Sequence, residues 1–263
     1  MPADVTGVGE PVVLVPGGLT GWVSWIPHAE QLARTHRVVR VQLLSVEFGL
    51  RGAPLPDGYG VSTESAALAG TLDRLGIARA DFAGWSYGAE VLLDFALDHP
   101  GRVRSLVLIE PPAFWVLRAR GRLEGALGTG ARAFQQVLRR FGPGDVSEEQ
   151  LAQFLCLAGI VPPDADPRAA PQWPLWTQHR QSLRTGDAAF RHDDDLARVR
   201  VFPHPVLLFK GLGSPDYLRA IVDVLGDEFP YAVVHELPGA HVLHLVAMQE
   251  FLGLFAASLA SRG

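Results

Sequence analysis

The sequence has little cysteine, little net charge and no long apolar run. A single cysteine, Cys156, among 263 residues excludes an internal disulfide and a metal cluster built from cysteines. A net charge of −5 provides no basic surface for nucleic acid or anionic lipid, so neither is expected as a partner. No apolar run approaches the ~18 residues needed to cross a membrane, and the N-terminus lacks the pattern of a secretory signal. We therefore expect a cytoplasmic globular protein.

Short apolar runs alternate with longer helix-like segments along most of the chain. This alternation predicts an α/β fold with a mostly parallel central sheet flanked by helices. Strands are predicted at residues 11–16, 37–44, 81–84, 103–109, 206–210 and 231–237. Helices are predicted at residues 25–34, 63–75, 86–97 and 245–260.

The segment 113–204 differs from the rest because it contains no clear strand. Helical stretches at 116–127, 131–141 and 147–157 are separated there by glycine and proline. An insertion of this size between two core strands is more often a functional lid than a plain connection. We therefore predict an α/β core formed by residues 1–112 and 205–263, with residues 113–204 inserted as a helical cap.

A serine lies between a predicted strand and a predicted helix, in the pentapeptide Gly84-Trp-Ser-Tyr-Gly88. This G-x-S-x-G pattern in a strand–turn–helix context is typical of a nucleophile elbow, in which glycine permits the tight turn. The turn exposes the hydroxyl of Ser86, and the backbone amide of Tyr87 points to where a carbonyl oxygen would become negative.

The elbow, the run His99–Ile109 and the turn Pro238-Gly-Ala-His241 resemble the α/β-hydrolase superfamily over residues 11–260. The resemblance implies that the loop after the last strand carries the general base of a catalytic triad. His241 occupies that place, and His244, three residues later, competes with it. The family pattern favours His241 and leaves His244 to pack beneath it.

The acid of the triad departs from the usual family pattern. Ser214 stands in Gly211-Leu-Gly-Ser-Pro215 where most members of the superfamily have an aspartate. Two carboxylates remain as candidates, Asp216 and Glu110. We favour Glu110, since a carboxylate at the end of the apolar strand 105–109 is costly without a partner.

A closer resemblance supports Glu110. Zearalenone lactonases have a glutamate acid 24 positions after the nucleophilic serine, as Ser86 and Glu110 are spaced here. Val15-Pro-Gly-Gly-Leu19 resembles their oxyanion loop, which implies that the amide of Gly18 is an oxyanion donor, with Leu19 as the alternative. Their substrate-contacting tryptophan matches Trp176 in the cap.

These residues predict a largely apolar small-molecule substrate. With Gly18 and Tyr87 as the oxyanion hole, we expect substrate contacts from four further side chains: Leu19, Trp85, Phe114 and Trp176. No cofactor is expected. The acidic run Arg191-His-Asp-Asp-Asp195 is interpreted as a solvated face rather than a metal site, since no ligand spacing accompanies it.

Together these features predict a serine hydrolase of carboxylic esters, with a lactone or another bulky apolar ester as substrate. Ser86 is the expected nucleophile, His241 the base and Glu110 the acid. Two alternatives use the same fold: an acyltransferase, thioesterase or cyclisation enzyme of a biosynthetic pathway, and a ligand receptor that retains the triad.

The short N-terminus has a consequence for the sheet. Members of the superfamily commonly carry two antiparallel strands before the one at Pro11, and ten residues are too few for that hairpin. We expect a shortened sheet with residues 37–44 at or near its edge, where Arg37 and Arg40 discourage further pairing. A bare edge there would suit a homodimer.

Overall fold

The computed structural model describes residues 1–142 and 144–260. In this part of the chain seven strands form one sheet, in the order β1-β3-β2-β4-β5-β6-β7. The strand β1 is antiparallel to β3, and the other neighbours pair in parallel. The strands are β1 (Ala3–Thr6), β2 (Pro11–Val15), β3 (Arg37–Val41), β4 (Ala80–Trp85), β5 (Val103–Ile109), β6 (Val206–Gly211) and β7 (Ala232–Leu237). The predicted α/β class with a mostly parallel sheet is confirmed.

The central strands are apolar on both faces because helices cover both sides of the sheet. Along β2, Val13 and Val15 belong to one core cluster, whereas Val12 and Leu14 belong to the other. The helices of the described residues are α1 (Ile26–Leu32), α2 (Leu44–Leu50), α3 (Val61–Arg74), α4 (Tyr87–Asp98), α5 (Phe114–Ala119), α6 (Gly125–Arg139), α7 (Glu148–Leu157), α8 (Trp173–His179), α9 (Ala188–Arg191), α10 (Leu196–Arg200), α11 (Asp216–Glu228), α12 (Leu243–Val246) and α13 (Met248–Ala260). The helices α3, α4 and α11 pack on one face, and α1 and α13 on the other.

The N-terminal edge of the sheet differs from the expectation in one respect. The first ten residues hold a single strand, β1, which pairs with β3 in the register Ala3 to Val41. Arg40 does not lie on an unpaired edge strand, and its Nε donates to Asp4 Oδ2 on β1 at 3.1 Å. The bare edge that would have suited a homodimer is therefore covered by the chain itself.

The inserted segment is helical throughout its regular elements, α5 to α10, which lie between β5 and β6 in the chain. The predicted helix 147–157 nearly coincides with α7. The predicted helices 116–127 and 131–141 have wrong bounds, because α5 ends at Ala119 and α6 already begins at Gly125. Buried aromatic rings fill the contact between this cap and α11. Phe114 and Phe134 both contact Tyr217 of α11, with ring centroids 5.6 and 5.7 Å apart, and Phe114 also stacks on Phe190 within the cap at 3.7 Å. The cap is thereby joined to the core by a continuous apolar interior.

No helix formed by the described residues combines the length and the apolar character needed to cross a membrane.

Substitution of an elbow glycine tests how closely the loop after β2 approaches α4. A Cβ at Gly88 would lie 2.2 Å from the carbonyl oxygen of Pro16, a contact that backbone cannot relieve cheaply. We expect Gly88→Ala to lower the free energy of unfolding by at least about 2 kcal/mol, measured by urea denaturation. Gly253→Ala is the control, because Gly253 is an exposed position of α13 and a Cβ there would meet nothing within 4 Å. That variant should gain about 0.5–1 kcal/mol, and equal effects of the two substitutions would contradict the account.

Candidate active site

The side chain of Ser86 is presented by a strained turn between β4 and α4. Ser86 has φ 54° and ψ −129°, and its N–H still donates to Ile109 O at 2.8 Å. The two glycines of the motif are required by close packing, since a Cβ at Gly84 would lie 2.8 Å from Leu92 Cδ1 and one at Gly88 would meet Pro16. The tight turn therefore follows from the sequence pattern in the way that the motif predicts.

His241 lies in the loop after β7, and its ring reaches the serine. The hydroxyl of Ser86 is 2.8 Å from Nε2 of His241, and we assign the hydroxyl as donor. The backbone of His241 is held at both ends: its N–H donates to Gly159 O in the cap at 3.1 Å, and its carbonyl accepts from Trp85 Nε1 at 2.7 Å. Only 2% of His241 is exposed. The backbone that carries the ring is therefore held by the cap through its N–H and by the elbow through its carbonyl.

Glu110 is the carboxylate that contacts His241. Its Oε2 accepts from Nδ1 of His241 at 2.7 Å, and its Oε1 accepts from the N–H of Gly211 at 2.7 Å. Glu110 is fully buried, so both hydrogen bonds are needed to offset the loss of hydration. Its φ is 43°. Ser86 and Glu110 are the only non-glycine residues with positive φ in the described part of the chain, and such strain concentrates at functional sites.

The competing acid, Asp216, lies elsewhere. It is the exposed first residue of α11, and no hydrogen bond links it to His241 within residues 1–142 and 144–260. Ser214, which occupies the usual aspartate position, is buried, and a Cβ at Gly211 would lie 2.6 Å from its Oγ. Of the two candidate carboxylates, only Glu110 thus contacts His241 in the described part of the chain.

The expected oxyanion donors lie on either side of the serine. Gly18 follows β2, and Tyr87 opens α4, where the first N–H groups of a helix have no partner within the helix. Both residues line the cavity that contains Ser86 and His241. The loop after β2 is attached to the cap, since Ser182 Oγ donates to Leu19 O at 2.8 Å. Sequence reasoning missed Ser182 and Gly159, because nothing local in the cap signals contact with distant loops.

Two further histidines, His28 and His244, are buried together, and His244 lies beside Trp85 of the elbow. His28 Nε2 is 2.9 Å from the carbonyl of His244, and their rings stack with centroids 5.4 Å apart. The ring of Trp85 lies 4.7 Å from that of His244. Burial lowers the pKa of both histidines, that of His244 strongly, so both are neutral near pH 7. His244 thus packs against Trp85 and His28, and sequence reasoning did not identify His28.

The cavity at Ser86 is small and apolar. It has a volume of about 50 Å³, and the cap contributes Phe134, Leu138, Phe154 and Leu183 to its wall. A separate groove of about 480 Å³ is lined in part by Val242, Leu245 and Val246, which follow His241 in the chain. Three of the four expected substrate contacts, namely Leu19, Trp85 and Trp176, line this groove. Phe114 lines neither space, because it is fully buried in the aromatic contact between cap and core.

Sequence comparison shows the family of the chain. The sequence model described as "Alpha/beta hydrolase family" matches residues 12–254. The chain belongs to the alpha/beta hydrolase family. A 2-hydroxy-6-oxo-2,4-heptadienoate hydrolase from Pseudomonas putida is 42% identical over 106 residues, which make up 39% of this chain and 38% of that relative. The match thus spans well under half the length of either protein.

Solved structures share the family fold over almost the whole chain. A hydrolase from Pseudomonas aeruginosa superposes with a TM-score of 0.75 at 24% identity, covering 98% of this chain and 93% of that one. An enol-lactonase from Burkholderia xenovorans superposes with a TM-score of 0.66 at 19% identity, covering 98% and 96%. At such identities the likeness shows the fold alone.

The geometry separates the two candidate acids experimentally. Glu110→Gln keeps the shape of the side chain but no longer favours the Nδ1–H tautomer of His241, so Ser86 should lose its activation. We expect the rate at which a fluorophosphonate labels Ser86, measured by mass spectrometry, to fall at least about 1,000-fold. Asp216→Asn is the matched control and should label at the unmodified rate. Normal labelling of Glu110→Gln, with loss in Asp216→Asn, would reverse the assignment.

Proposed function

We propose that this family member is a serine hydrolase of neutral carboxylic esters, including lactones. The observation that carries the proposal is the continuous hydrogen-bonded chain from Ser86 through His241 to Glu110, with spacings of 2.8 and 2.7 Å. In this constellation the imidazole removes the serine proton, and the carboxylate stabilises the imidazolium that forms.

The reaction proceeds in two stages. Ser86 Oγ attacks the substrate carbonyl carbon while its proton moves to Nε2 of His241, and the resulting oxyanion accepts hydrogen bonds from the amides of Gly18 and Tyr87. The tetrahedral intermediate expels the alcohol, which takes the proton from His241, and leaves an acyl group on Ser86. Water then attacks this ester with His241 again as base, so the acid is released and the serine restored. For a lactone the alcohol and the acid leave as one molecule.

The lining of the cavity supports a neutral substrate with a small acyl group. No lysine or arginine of the described residues lines the space around Ser86, so a substrate carboxylate placed there would lose hydration without gaining an ion pair. The volume of about 50 Å³ holds only a few water-sized groups. The bulky substrate expected from the sequence needs more room than this arrangement of the cap provides.

A second candidate reaction rests on a different observation. The curated relative that is 42% identical over 106 residues is named for 2-hydroxy-6-oxo-2,4-heptadienoate. Hydrolysis of such a compound beside its 6-oxo group breaks a carbon–carbon bond, and the compound carries a carboxylate. The apolar cavity favours the ester over this acid, but the same serine and histidine serve either reaction.

A parallel assay distinguishes the two reactions. Purified protein is given p-nitrophenyl acetate, a panel of small lactones and 2-hydroxy-6-oxo-2,4-heptadienoate. We expect kcat/KM for the best ester or lactone to exceed that for the dienoate at least about tenfold, since an unpaired buried carboxylate costs more than 1.4 kcal/mol. Ser86→Ala should abolish every turnover. Cleavage of the dienoate without any ester hydrolysis would overturn the proposal in favour of the second candidate.

The size of the acyl group is set by the cap side chains at the cavity wall. Phe134→Ala should open the cavity toward the aromatic contact and shift the preference among p-nitrophenyl esters from acetate toward hexanoate, measured as the ratio of kcat/KM values. Phe202→Ala is the control, because Phe202 is equally apolar and buried but packs against Phe229, away from the site. An unchanged ratio in Phe134→Ala would contradict the assignment of this cavity to the acyl group.

A further inference from the structure

A group of metal-ligating side chains lies where the cap returns to the core. The extended segment before α10 turns His192 and Asp194 inward and Asp193 and Asp195 outward. The inward pair meets Asp94, which projects from α4. One possible ligand atom from each of Asp94, His192 and Asp194 lies within 4.8 Å of the other two. The acidic run interpreted from the sequence as a solvated face is therefore solvated only at alternate residues.

These three side chains are well shielded from water. The exposed fraction of the side chain is 6% for Asp94, 9% for His192 and 6% for Asp194. The ring Nε2 of His192 is 3.3 Å from Asp94 Oδ1, which also accepts from Ser62 Oγ at 3.3 Å. The site is thus an enclosed space between α4 and the cap segment rather than an open acidic surface.

Unpartnered carboxylate oxygens provide a second, independent observation. Burial raises the pKa of Asp94, and the nearby hydroxyl of Ser65 offsets that rise only in part. The buried Oδ2 of Asp94 otherwise has no hydrogen-bonding partner among the described residues. Glu90 lies one helical turn earlier on α4 and is completely buried, with an exposed fraction of 0%. Neither of its carboxylate oxygens has a hydrogen-bonding partner in the described part of the chain. Buried carboxylates without hydrogen bonds are strongly destabilising unless a cation or a proton neutralises them.

Nearby arginines account for only part of this charge. Arg198 Nη1 contacts both oxygens of Asp194 at 2.9 Å, and its Nη2 donates to the exposed Asp98. Arg118 is directed to backbone carbonyls and to Asp193. Asp194 Oδ1 also accepts from the N–H of Asp195 at 2.7 Å. Since a carboxylate offers about four acceptor positions, Asp194 can keep these three hydrogen bonds and still bind a cation at the remaining position. No arginine forms a hydrogen bond to Glu90 or Asp94 in residues 1–142 and 144–260.

We propose that Asp94, His192 and Asp194 bind a divalent transition-metal ion, with Glu90 contacting it through bound water. One imidazole and two carboxylates suit Zn²⁺ or Mn²⁺, whereas Ca²⁺ requires six to eight oxygens. Ligand atoms at about 2.0–2.2 Å from a tetrahedral ion lie about 3.3–3.6 Å apart. The separations in the observed group reach no more than 4.8 Å, so the widest of them would close by up to about 1.5 Å when the ion binds. The ion would tie the end of the cap to α4, whose first turn carries the elbow.

Calorimetric titration of the tag-free protein with Zn²⁺ and with Mn²⁺ tests this site. We expect one high-affinity ion per chain and a rise in Tm when it binds, with weaker binding of Ca²⁺ and Mg²⁺. Asp94→Asn should weaken that site by more than about 100-fold, and Glu90→Gln by about 10–100-fold as an outer partner. Asp193→Asn is the matched control, because Asp193 is an adjacent carboxylate that points to solvent, and it should bind as the unmodified protein does.

Each outcome decides the question. His192→Asn, at the least buried ligand, provides the same test if Asp94→Asn folds poorly, with circular dichroism as the check of folding. Loss of the one-to-one site in either variant, together with its retention in Asp193→Asn, supports the proposal. If no ion binds, or if binding is unchanged in both Asp94→Asn and His192→Asn, the carboxylates are neutralised by protons instead and the proposal is wrong.

Discussion

The carboxylate of Glu110 is buried completely and shared between the amide of Gly211 and the ring of His241. A carboxylate in this position is tolerated only while both donors remain, because an unpaired buried charge would cost several kcal/mol. One oxygen thus ties the end of β5 to the end of β6, and the other orients the imidazole toward Ser86. The same hydrogen bonds that make the carboxylate compatible with the core also arrange the proposed catalytic groups.

The backbone around these groups is strained, and the surrounding packing maintains the strain. Ser86 and Glu110 both adopt positive φ, a conformation that costs of order 1–3 kcal/mol for such residues. The contact of Gly88 with Pro16 and the hydrogen bond from Trp85 to His241 hold the elbow and the histidine loop in place. The core thus provides the backbone geometry, and side chains of the inserted segment line the cavity at Ser86.

The sequence predicted those parts that depend on local pattern. The α/β class, the elbow and the meeting of Ser86 with His241 follow from apolar runs and from glycine positions, and the glutamate was favoured because a lone carboxylate ends an apolar strand. Local pattern did not predict β1, which is held by pairing with β3, or α2, which begins inside the stretch assigned to a strand. Local pattern also does not predict where the side chains of Trp176 and Phe114 lie, because their positions depend on how the cap packs.

A crystal structure of the protein phosphonylated at Ser86 tests the central claim most directly. The account predicts that the phosphonyl oxygen lies about 2.7–3.1 Å from the amide nitrogens of Gly18 and Tyr87, with Nδ1 of His241 still bonded to Glu110. A phosphonyl oxygen directed away from both amides, or a His241 ring turned to a carboxylate other than Glu110, would contradict it.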